Sequence, residues 1–255
     1  RFAAGIDRLD GFSSLLQPGP SAAGGSTTDS IIISASTRLR LEGVSVLTPD
    51  RMRTLVRNLT LDVAPGEGLM IVGASGGGKS SLLRAIAGLW DTGSGRILRP
   101  SGEDMLFLPQ QPYMTTGSLR SQLLYPDDGR AVSDEELMQL LARVNLPRLA
   151  SRFDGFDTVR DWGKVLSVGE QQRLAFARAH LIRPRYLMLD EASSALDGDN
   201  EALLYRSLAG EGMTPVSVSH RPALLPFHSR VLELTGDGGW QLHDAASWSF
   251  DDRGD

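Results

Sequence analysis

The sequence predicts an α/β domain built around a mostly parallel β-sheet. Three short segments carry this prediction: the continuously apolar run GLMIVG at residues 68–73, and two further buried-strand candidates, YLMLDEA at 186–192 and TPVSVSH at 214–220. Apolar runs of this length are consistent with strands that are buried on both faces, as in a parallel sheet. Helical patterns separate the runs, and strands that alternate with helices favour the α/β class.

Composition narrows the class of protein further. The chain has 255 residues, of which 41% are hydrophobic, and this is enough for a substantial core. Its net charge of −5 argues against a nucleic-acid partner, and the absence of cysteine excludes disulfides and thiolate metal sites. No apolar run in the sequence reaches 18 residues, so the sequence predicts no membrane-spanning helix within these 255 residues. The chain begins at Arg1 without a signal-peptide pattern, and we expect it to be a fragment or a processed product.

The first 16 residues have apolar side chains at helical spacing, which predicts a helix with one apolar face. Residues 17–37 begin with a stretch rich in Pro, Gly and Ser and are predicted to be a flexible linker. A helix followed by a linker fits the tail of an upstream domain, and the alternative is a small accessory helix packed on this domain. The apolar positions are Phe2, Ile6, Leu9, Phe12 and Leu16.

Strand signals begin near Arg38. The segments RLRLEGVSVL (38–47) and TLVRNLTLDV (54–63) alternate apolar and polar residues, and GRILRP (95–100) and DMLFLPQ (104–110) are two shorter strand candidates. Residues 117–150 are predicted to be mostly helical. Within them, SDEEL at Ser133–Leu137 has the pattern of a helix-capping box.

The segment GASGGGKSS connects a predicted buried strand directly to a predicted helix and matches G-x-x-x-x-G-K-[ST]. Only two of the chain's 26 basic residues are lysines, and one of them, Lys79, lies here. In this strand, loop and helix context the pattern predicts a phosphate cradle, in which Lys79 reaches the β- and γ-phosphates and Ser80 offers its hydroxyl to Mg²⁺. The alternative is a plain glycine-rich turn. The expected nucleotide-binding residues are Gly73, Ala74, Ser75, Gly76, Gly77, Gly78, Lys79, Ser80 and Ser81.

The run YLMLDEA ends in two carboxylates at the carboxyl end of a predicted strand. Asp190 is expected to hold Mg²⁺ through water, and Glu191 to orient and polarise the water that attacks the γ-phosphate. The alternative is an Asp-Glu pair that caps the next helix.

The stretch VLSVGEQQRLAFARAHLIRPRYLMLDEASSALD, residues 165–197, closely resembles the ABC ATPase family. Its LSVGE is similar to the family signature LSGGQ, and SALD, which ends at Asp197, is similar to the D-loop. His220 has the position of the switch histidine. Gln110 resembles the Q-loop glutamine, with Gln111 as the adjacent alternative. The resemblance implies a P-loop NTPase with a RecA-like core, an N-terminal antiparallel β subdomain and an inserted α-helical subdomain at about residues 112–165.

The resemblance also implies a mechanism. ATP with Mg²⁺ is sandwiched between two head-to-tail copies, and Ser167 and Gly169 bind the γ-phosphate of a nucleotide held by the second copy. The expected catalytic residues are Glu191, His220, Lys79 and Gln110; Asp197 joins the nucleotide-binding set, and Ser80, Gln110 and Asp190 form the metal set. Two other classes stay open: a soluble ABC ATPase that works on ribosomes or DNA, and a module that holds nucleotide without turnover.

A narrower resemblance is to fused half-transporters, a branch that includes peroxisomal acyl-CoA transporters and bacterial proteins of the SbmA/BacA type. It rests on GLWDTGSGRI (88–97), LFLPQQPYMTTGSLRSQLLYP (106–126) and DWGKVLSVGEQQRLAFARAHLIRP (161–184). It implies an upstream membrane domain, an ATPase domain at 38–240 on the cytoplasmic or equivalent ATP-containing face of the membrane, and a tail at 241–255.

Two departures from the family pattern have consequences. Glu170 stands where Gln is usual in the signature, and Val168 adds a side chain where Gly is usual; we expect activity to survive the change at Val168 because Ser167 and Gly169 remain. The family often places an aromatic ring under adenine, whereas residues 44–54 contain none. Thr48, Pro49 or Met52 is expected against the base, with weaker stacking.

Overall fold

The computed structural model describes residues 30–127 and 129–250, so the predicted helix of residues 1–16 lies outside the described residues. The central sheet is made of β4 (Leu69–Gly73), β6 (Met105–Leu108), β9 (Tyr186–Asp190), β10 (Thr214–Val218), β11 (Arg230–Leu234) and β12 (Trp240–Asp244). Their spatial order is β12-β11-β4-β10-β9-β6. All neighbours are parallel except β11 and β12, so the predicted fold class is confirmed.

A second, four-stranded sheet is made by β1 (Ile32–Ala35), β2 (Leu39–Leu47), β3 (Thr54–Val63) and β5 (Gly93–Arg99). Its order is β1-β5-β2-β3. The strand β2 is antiparallel to both of its neighbours, as predicted for the N-terminal subdomain, whereas β1 is parallel to β5.

The C-terminal boundary of the predicted linker, residue 37, is wrong. The strand β1 begins at Ile32, and its four residues pair in register with Arg96 to Arg99 of β5. The physical reason is that Ile31, Ile32 and Ile33 form a β-branched run, which favours extended backbone, and Ile31 is buried in the core.

The helix α1 (Lys79–Ala87) packs between the two sheets. Its buried Leu82, Leu83 and Ile86 belong to one core cluster that also contains side chains of β2, β4 and β10. The helix ends at Gly88, whose left-handed φ of 81° terminates it. This packing fixes the start of α1, and therefore Lys79, relative to the end of β4.

The other helices are α2 (Leu119–Leu124), α3 (Asp134–Arg143), α4 (Leu149–Arg152), α5 (Trp162–Val165), α6 (Val168–Ile182) and α7 (Gly198–Gly210). Two 3-10 helices cover Gly102–Asp104 and Pro222–Phe227, and β7 (Thr116–Ser118) pairs with β8 (Val159–Asp161). Helices α2 to α5 lie between β6 and α6, within the range expected for an inserted helical subdomain. In the described ranges no helix is both long and apolar enough to span a bilayer.

The predicted boundary at residue 240, after which a tail was expected, is also wrong. The strand β12 pairs with β11 over Trp240–Asp244, so these residues belong to the central sheet. The turn between the strands is closed by Asp237, whose carboxylate accepts hydrogen bonds from Thr235 Oγ1 and from the Gly239 N–H. An Asp-Gly turn of this kind is a hairpin signal that the sequence already contained.

A buried histidine predicts how stability depends on pH. His228 Nδ1 lies 2.8 Å from the Leu224 carbonyl oxygen and Nε2 lies 2.9 Å from Ser217 Oγ of β10. Burial lowers its pKa from the ordinary 6.5 to about 4, against the opposing effect of the Leu224 carbonyl. The unfolded chain therefore takes up this proton first as the pH falls, and the folded state loses stability between pH 6.5 and 4.

We expect His228 to remove about 3 kcal/mol from the free energy of unfolding across that pH window. Urea unfolding of the parent and of His228→Gln at several pH values measures the contribution, because carboxylates affect both proteins alike. Equal pH slopes in the two proteins would contradict it.

Candidate functional site

The residues expected to form the site follow four neighbouring parallel strands of the central sheet. The glycine loop leaves the end of β4, Gln110 follows β6, Asp190 ends β9 and His220 follows β10. Because the carboxyl ends of parallel strands meet at one edge of the sheet, these side chains converge there although they are far apart in sequence.

The glycine loop between β4 and α1 depends on glycine at three positions. Gly73, Gly76 and Gly78 have φ values of 143°, 71° and 93°, which side chains with a Cβ rarely adopt. A Cβ on Gly73 would lie 2.5 Å from the Leu234 carbonyl oxygen, and one on Gly78 would lie 2.8 Å from the Leu55 Cβ. The loop is therefore held in its curled conformation by close backbone packing on both sides.

The ammonium of Lys79 lies folded over this loop. Its Nζ donates hydrogen bonds to the Gly73 carbonyl at 2.9 Å and to the Ala74 carbonyl at 2.8 Å, and the residue is buried. Because the ammonium is anchored to the curl of the loop, its positive charge is concentrated where a polyphosphate would be held.

Ser80 and Asp190 form an oxygen pair beside the loop. Ser80 Oγ donates to Asp190 Oδ1 at 2.6 Å, and Asp190 is buried at the end of β9. The guanidinium of Arg84, one helical turn after Ser80, lies 3.5 Å from Asp190 Oδ2. A hydroxyl and a carboxylate are the kind of ligands that Mg²⁺ binds, so the chemistry of this pair fits the expected metal.

Glu191 has a strained backbone and two contacts with other predicted site residues. Its φ of 49° is left-handed, and its N–H donates to the Val218 carbonyl of β10 at 3.1 Å. Its carboxylate accepts a hydrogen bond from Gln110 Nε2 at 3.1 Å and lies 4.0 Å from His220 Nε2. The structure thus brings Gln110, rather than the adjacent Gln111, onto Glu191.

Ser167 begins α6 with a complete capping box. Its Oγ accepts from the Glu170 N–H, and the Glu170 carboxylate accepts from the Ser167 N–H at 2.9 Å. The other oxygen of Glu170 lies 2.6 Å from Arg152. Burial raises the pKa of Glu170, but the hydrogen bonds from Arg152 and Ser167 outweigh burial and lower it. Glu in place of the family's Gln therefore carries a charge that Arg152 balances.

The rest of the signature region packs against residues 195–197. A Cβ on Gly169 would lie 3.2 Å from the Ala195 carbonyl oxygen, whereas the side chain of Val168 is half exposed. Asp197 caps α7 by accepting from the Asn200 N–H at 2.8 Å, and this bond and one from the Asn200 side chain lower its pKa. These contacts place Gly169 of α6 against Ala195 and Leu196, the two residues directly before Asp197.

The turn where a base-stacking residue was expected lies next to the glycine loop. It connects β2 to β3, and Leu55 of β3 contacts Gly78 of the loop. The turn is closed by Thr48, whose N–H donates to the Arg53 carbonyl at 2.9 Å. Met52 is 86% exposed on this turn, Pro49 is also exposed, and Thr48 is partly buried, so the thioether of Met52 is accessible to a base.

Three residues near the site were not assigned roles from the sequence. Arg84 contacts Asp190, Gln172 bonds to the backbones of Gln110 and Ala195, and Arg221 donates to the Ser194 and Leu196 carbonyls. The spacing of Arg84 from Ser80, four residues along one helix, was an available signal. The other two depend on contacts between distant segments, which sequence spacing does not show.

Comparison with known proteins identifies the family. The sequence profile described as ABC transporter matches residues 56–194, more than half of the chain. The chain belongs to the ABC transporter family. Its fold is similar to that of a bacterial Atm1-family ABC exporter solved with ATP bound, with a TM-score of 0.73 and 24% identity over 96% of this chain and 45% of that chain. At that identity the likeness concerns the fold alone.

Curated ABC transporter relatives share more of the sequence. An uncharacterized ABC transporter ATP-binding protein of Synechocystis is 50% identical over 94% of this chain and 37% of that protein. The chloroplastic ABC transporter D family member 2 of Arabidopsis thaliana is 40% identical over 81% and 36%. The lysosomal cobalamin transporter ABCD4 of Mus musculus is 43% identical over 82% and 36%. The chain thus spans a little over a third of these relatives, and the predicted resemblance to the half-transporter branch is confirmed.

Proposed function

We propose that this ABC domain binds and hydrolyses ATP to power transport by a half-transporter. The observation that carries the proposal is the convergence of Lys79, the Ser80–Asp190 pair and Glu191 at one sheet edge. Lys79 supplies a cation that binds phosphate. The Ser80–Asp190 pair supplies oxygens suited to a metal, and Glu191 supplies a carboxylate suited to orienting water. All three are needed for hydrolysis of a phosphoanhydride.

The phosphates of ATP are bound by the loop Gly73–Ser81. Its backbone N–H groups and the first turn of α1 attract anions, and Lys79 exchanges its bonds to the Gly73 and Ala74 carbonyls for phosphate oxygens. On this proposal Met52 on the neighbouring turn contacts the base. A thioether stacks less strongly than an aromatic ring, so selection of adenine over other bases is weak.

Ser80 and Asp190 would hold Mg²⁺, and Gln110 completes the set. When bound there, Mg²⁺ neutralises charge that develops on the phosphate oxygens. Arg84 keeps the Asp190 carboxylate oriented toward Ser80. Glu191 orients the attacking water and accepts its proton, with Gln110 and His220 fixing the direction of the carboxylate.

The site is completed by a second copy of the chain. Ser167 and Gly169 lie at the N-terminus of α6 among contacts of the helical segment and of residues 195–197, not of the Gly73–Ser81 loop. A γ-phosphate on the loop of one copy therefore takes Ser167 from the other, and closure of two copies buries two ATP molecules. We propose a homodimer, with no nucleic acid as a partner.

The relatives favour a transporter over a soluble ABC ATPase of ribosomes or DNA, since the ABCD4 relative is named as a transporter. We therefore propose that a membrane domain accompanies this one in the full protein and that the ATPase domain lies on its ATP-containing, cytoplasmic face. Residues 112–160 after Gln110 would contact that membrane domain, because a shift of Gln110 moves this segment directly.

Complementation between two inactive variants tests the shared site. Lys79→Ala removes the cation that binds the phosphates at the loop, and Ser167→Glu places a second carboxylate beside Glu170, which repels a phosphate. A mixed dimer keeps one complete site, formed by the loop of the second variant and Ser167 of the first. With random pairing, the equimolar mixture should release phosphate at about a quarter of the parent rate, while each variant alone is nearly inactive.

The controls are each variant alone at the total concentration of the mixture, and the parent with Mg²⁺ or with a chelator. A mixture no faster than the average of the two variants, beside an active parent, would mean that one chain forms the whole site.

A further inference from the structure

Gln172 is a fully buried amide whose polar atoms are bonded on two sides. It lies in the second turn of α6 with no exposed surface. Its Nε2 donates to the Gln110 carbonyl at 2.9 Å, and its Oε1 accepts from the Ala195 N–H at 3.0 Å. A further contact joins Nε2 to Ser194 Oγ at 3.3 Å. One side chain therefore connects the segment after β6 with the segment after β9.

Both segments lead directly to Glu191. From the first segment, the side chain of Gln110 donates to Glu191 Oε2 at 3.1 Å. From the second, the Ser194 N–H donates to the Glu191 carbonyl at 3.0 Å, and Arg221 holds the Ser194 carbonyl from outside. Glu191 thus lies in a closed ring of contacts in which Gln172 is the element that joins the two halves.

The chemistry of the ring requires an amide at this position. Gln110 presents a carbonyl and Ala195 presents an N–H, so the side chain between them must donate at one end and accept at the other. An ionised carboxylate only accepts, and an aliphatic side chain does neither. Either change would leave a buried backbone group without its partner, and the two segments would move to find water or other partners.

We propose that Gln172 is a positioning residue for ATP hydrolysis, which fixes the Glu191 carboxylate by joining the Gln110 and Ala195 backbones. The proposal rests on the proposed ATPase function and assigns to α6 a role within its own chain. Gln172 does not contact the Lys79 loop, so its effect falls on the rate of hydrolysis and not on the capture of ATP.

The neighbouring Gln171 provides a matched control. It is also buried, and its Nε2 donates to two backbone carbonyls, those of Gly163 at 3.2 Å and Leu166 at 3.0 Å. Both acceptors lie before α6 and neither belongs to the ring around Glu191. Gln171→Met and Gln172→Met therefore remove the same group from the same helix, and only the second opens the ring.

The test measures phosphate release and ATP binding by the full 255-residue chain and its variants. We expect Gln172→Met to lower kcat at least about ten-fold while the dissociation constant for ATP changes less than about two-fold. Gln171→Met should keep kcat within about three-fold of the parent. Gln172→Asn keeps the amide but is too short to join both segments, so its kcat should fall as in Gln172→Met. It replaces Gln172→Met in the test if that variant does not fold.

A double-mutant cycle separates positioning from general destabilisation. If Gln172 acts through Gln110, then Gln172→Met in a Gln110→Ala background should lower kcat much less than it does in the parent. Three results would overturn this inference and leave the proposed ATPase function standing. They are parent-like turnover by Gln172→Met, an equal loss of turnover in Gln171→Met, and additive effects in the cycle. A parent without ATPase activity would overturn the proposed function and the inference together.

Discussion

Glu191→Gln is expected to bind ATP like the parent but to hydrolyse it at least about a hundred-fold more slowly. The glutamine amide has the same size as the carboxylate, and the proposed contacts of ATP with Lys79 and of Mg²⁺ with Ser80 do not involve it. It cannot accept the proton of the attacking water. Because ATP then stays intact between two copies, the variant should elute as a dimer in gel filtration with ATP and Mg²⁺, and as a monomer without nucleotide.

Glu135→Gln is the control for this substitution. Glu135 is an exposed carboxylate in the first turn of α3, outside the residues that converge at the sheet edge, so its turnover should equal that of the parent. Turnover by Glu191→Gln at near the parent rate would show that another group orients the water.

Lys79→Ala is expected to weaken ATP binding by about ten- to a hundred-fold, which is the value of charge-assisted hydrogen bonds lost from a buried site. The variant keeps the curled conformation of the glycine loop. It lacks the ammonium that the Gly73 and Ala74 carbonyls hold in the parent, so the phosphates no longer contact a cation there. Titration with a fluorescent ATP analogue, in the presence of Mg²⁺, measures the change.

The chain's other lysine, Lys164, is a natural control. Its side chain is 84% exposed and pairs with Asp161 at 2.8 Å, away from the glycine loop. Lys164→Ala removes the same charge from the protein as a whole and should leave the dissociation constant for ATP unchanged. Equal weakening in both variants would mean that net charge, and not the loop, determines binding.

The parts of the site that the sequence predicted are those whose chemistry is local. The curl of Gly73–Ser81 follows from its own glycines and from the strand and helix that flank it. The same holds for Asp190 and Glu191, because a short apolar run ending in carboxylates fixes them at the end of a strand. The capping box at Ser133–Leu137 is local in the same way, and the structure has it at the start of α3.

The features that were missed depend on contacts between distant segments. Nothing near Gln172 indicates that its amide lies between Gln110 and Ala195, since helical spacing only predicts that it is buried. The strand β1 has only four residues, and such a short stretch carries a weak signal without its partner β5. The strand β12 differs, because the Asp237-Gly238 pair is itself a local signal for the hairpin that joins it to β11.

The connection between β6 and β9 has a mechanical consequence. These strands are parallel neighbours, with Leu108 beside Leu189 and Met105 beside Tyr186. The chain therefore leaves the sheet at one edge and returns at the opposite edge, about one strand length or ~13 Å away. The intervening residues 109–185, which include α2 to α6, are joined by the chain to both ends of this strand pair, and Gln172 of α6 also bonds to Ala195 after β9. A displacement of this segment would therefore act at once on the chain at Gln110, after β6, and at Ala195, after β9.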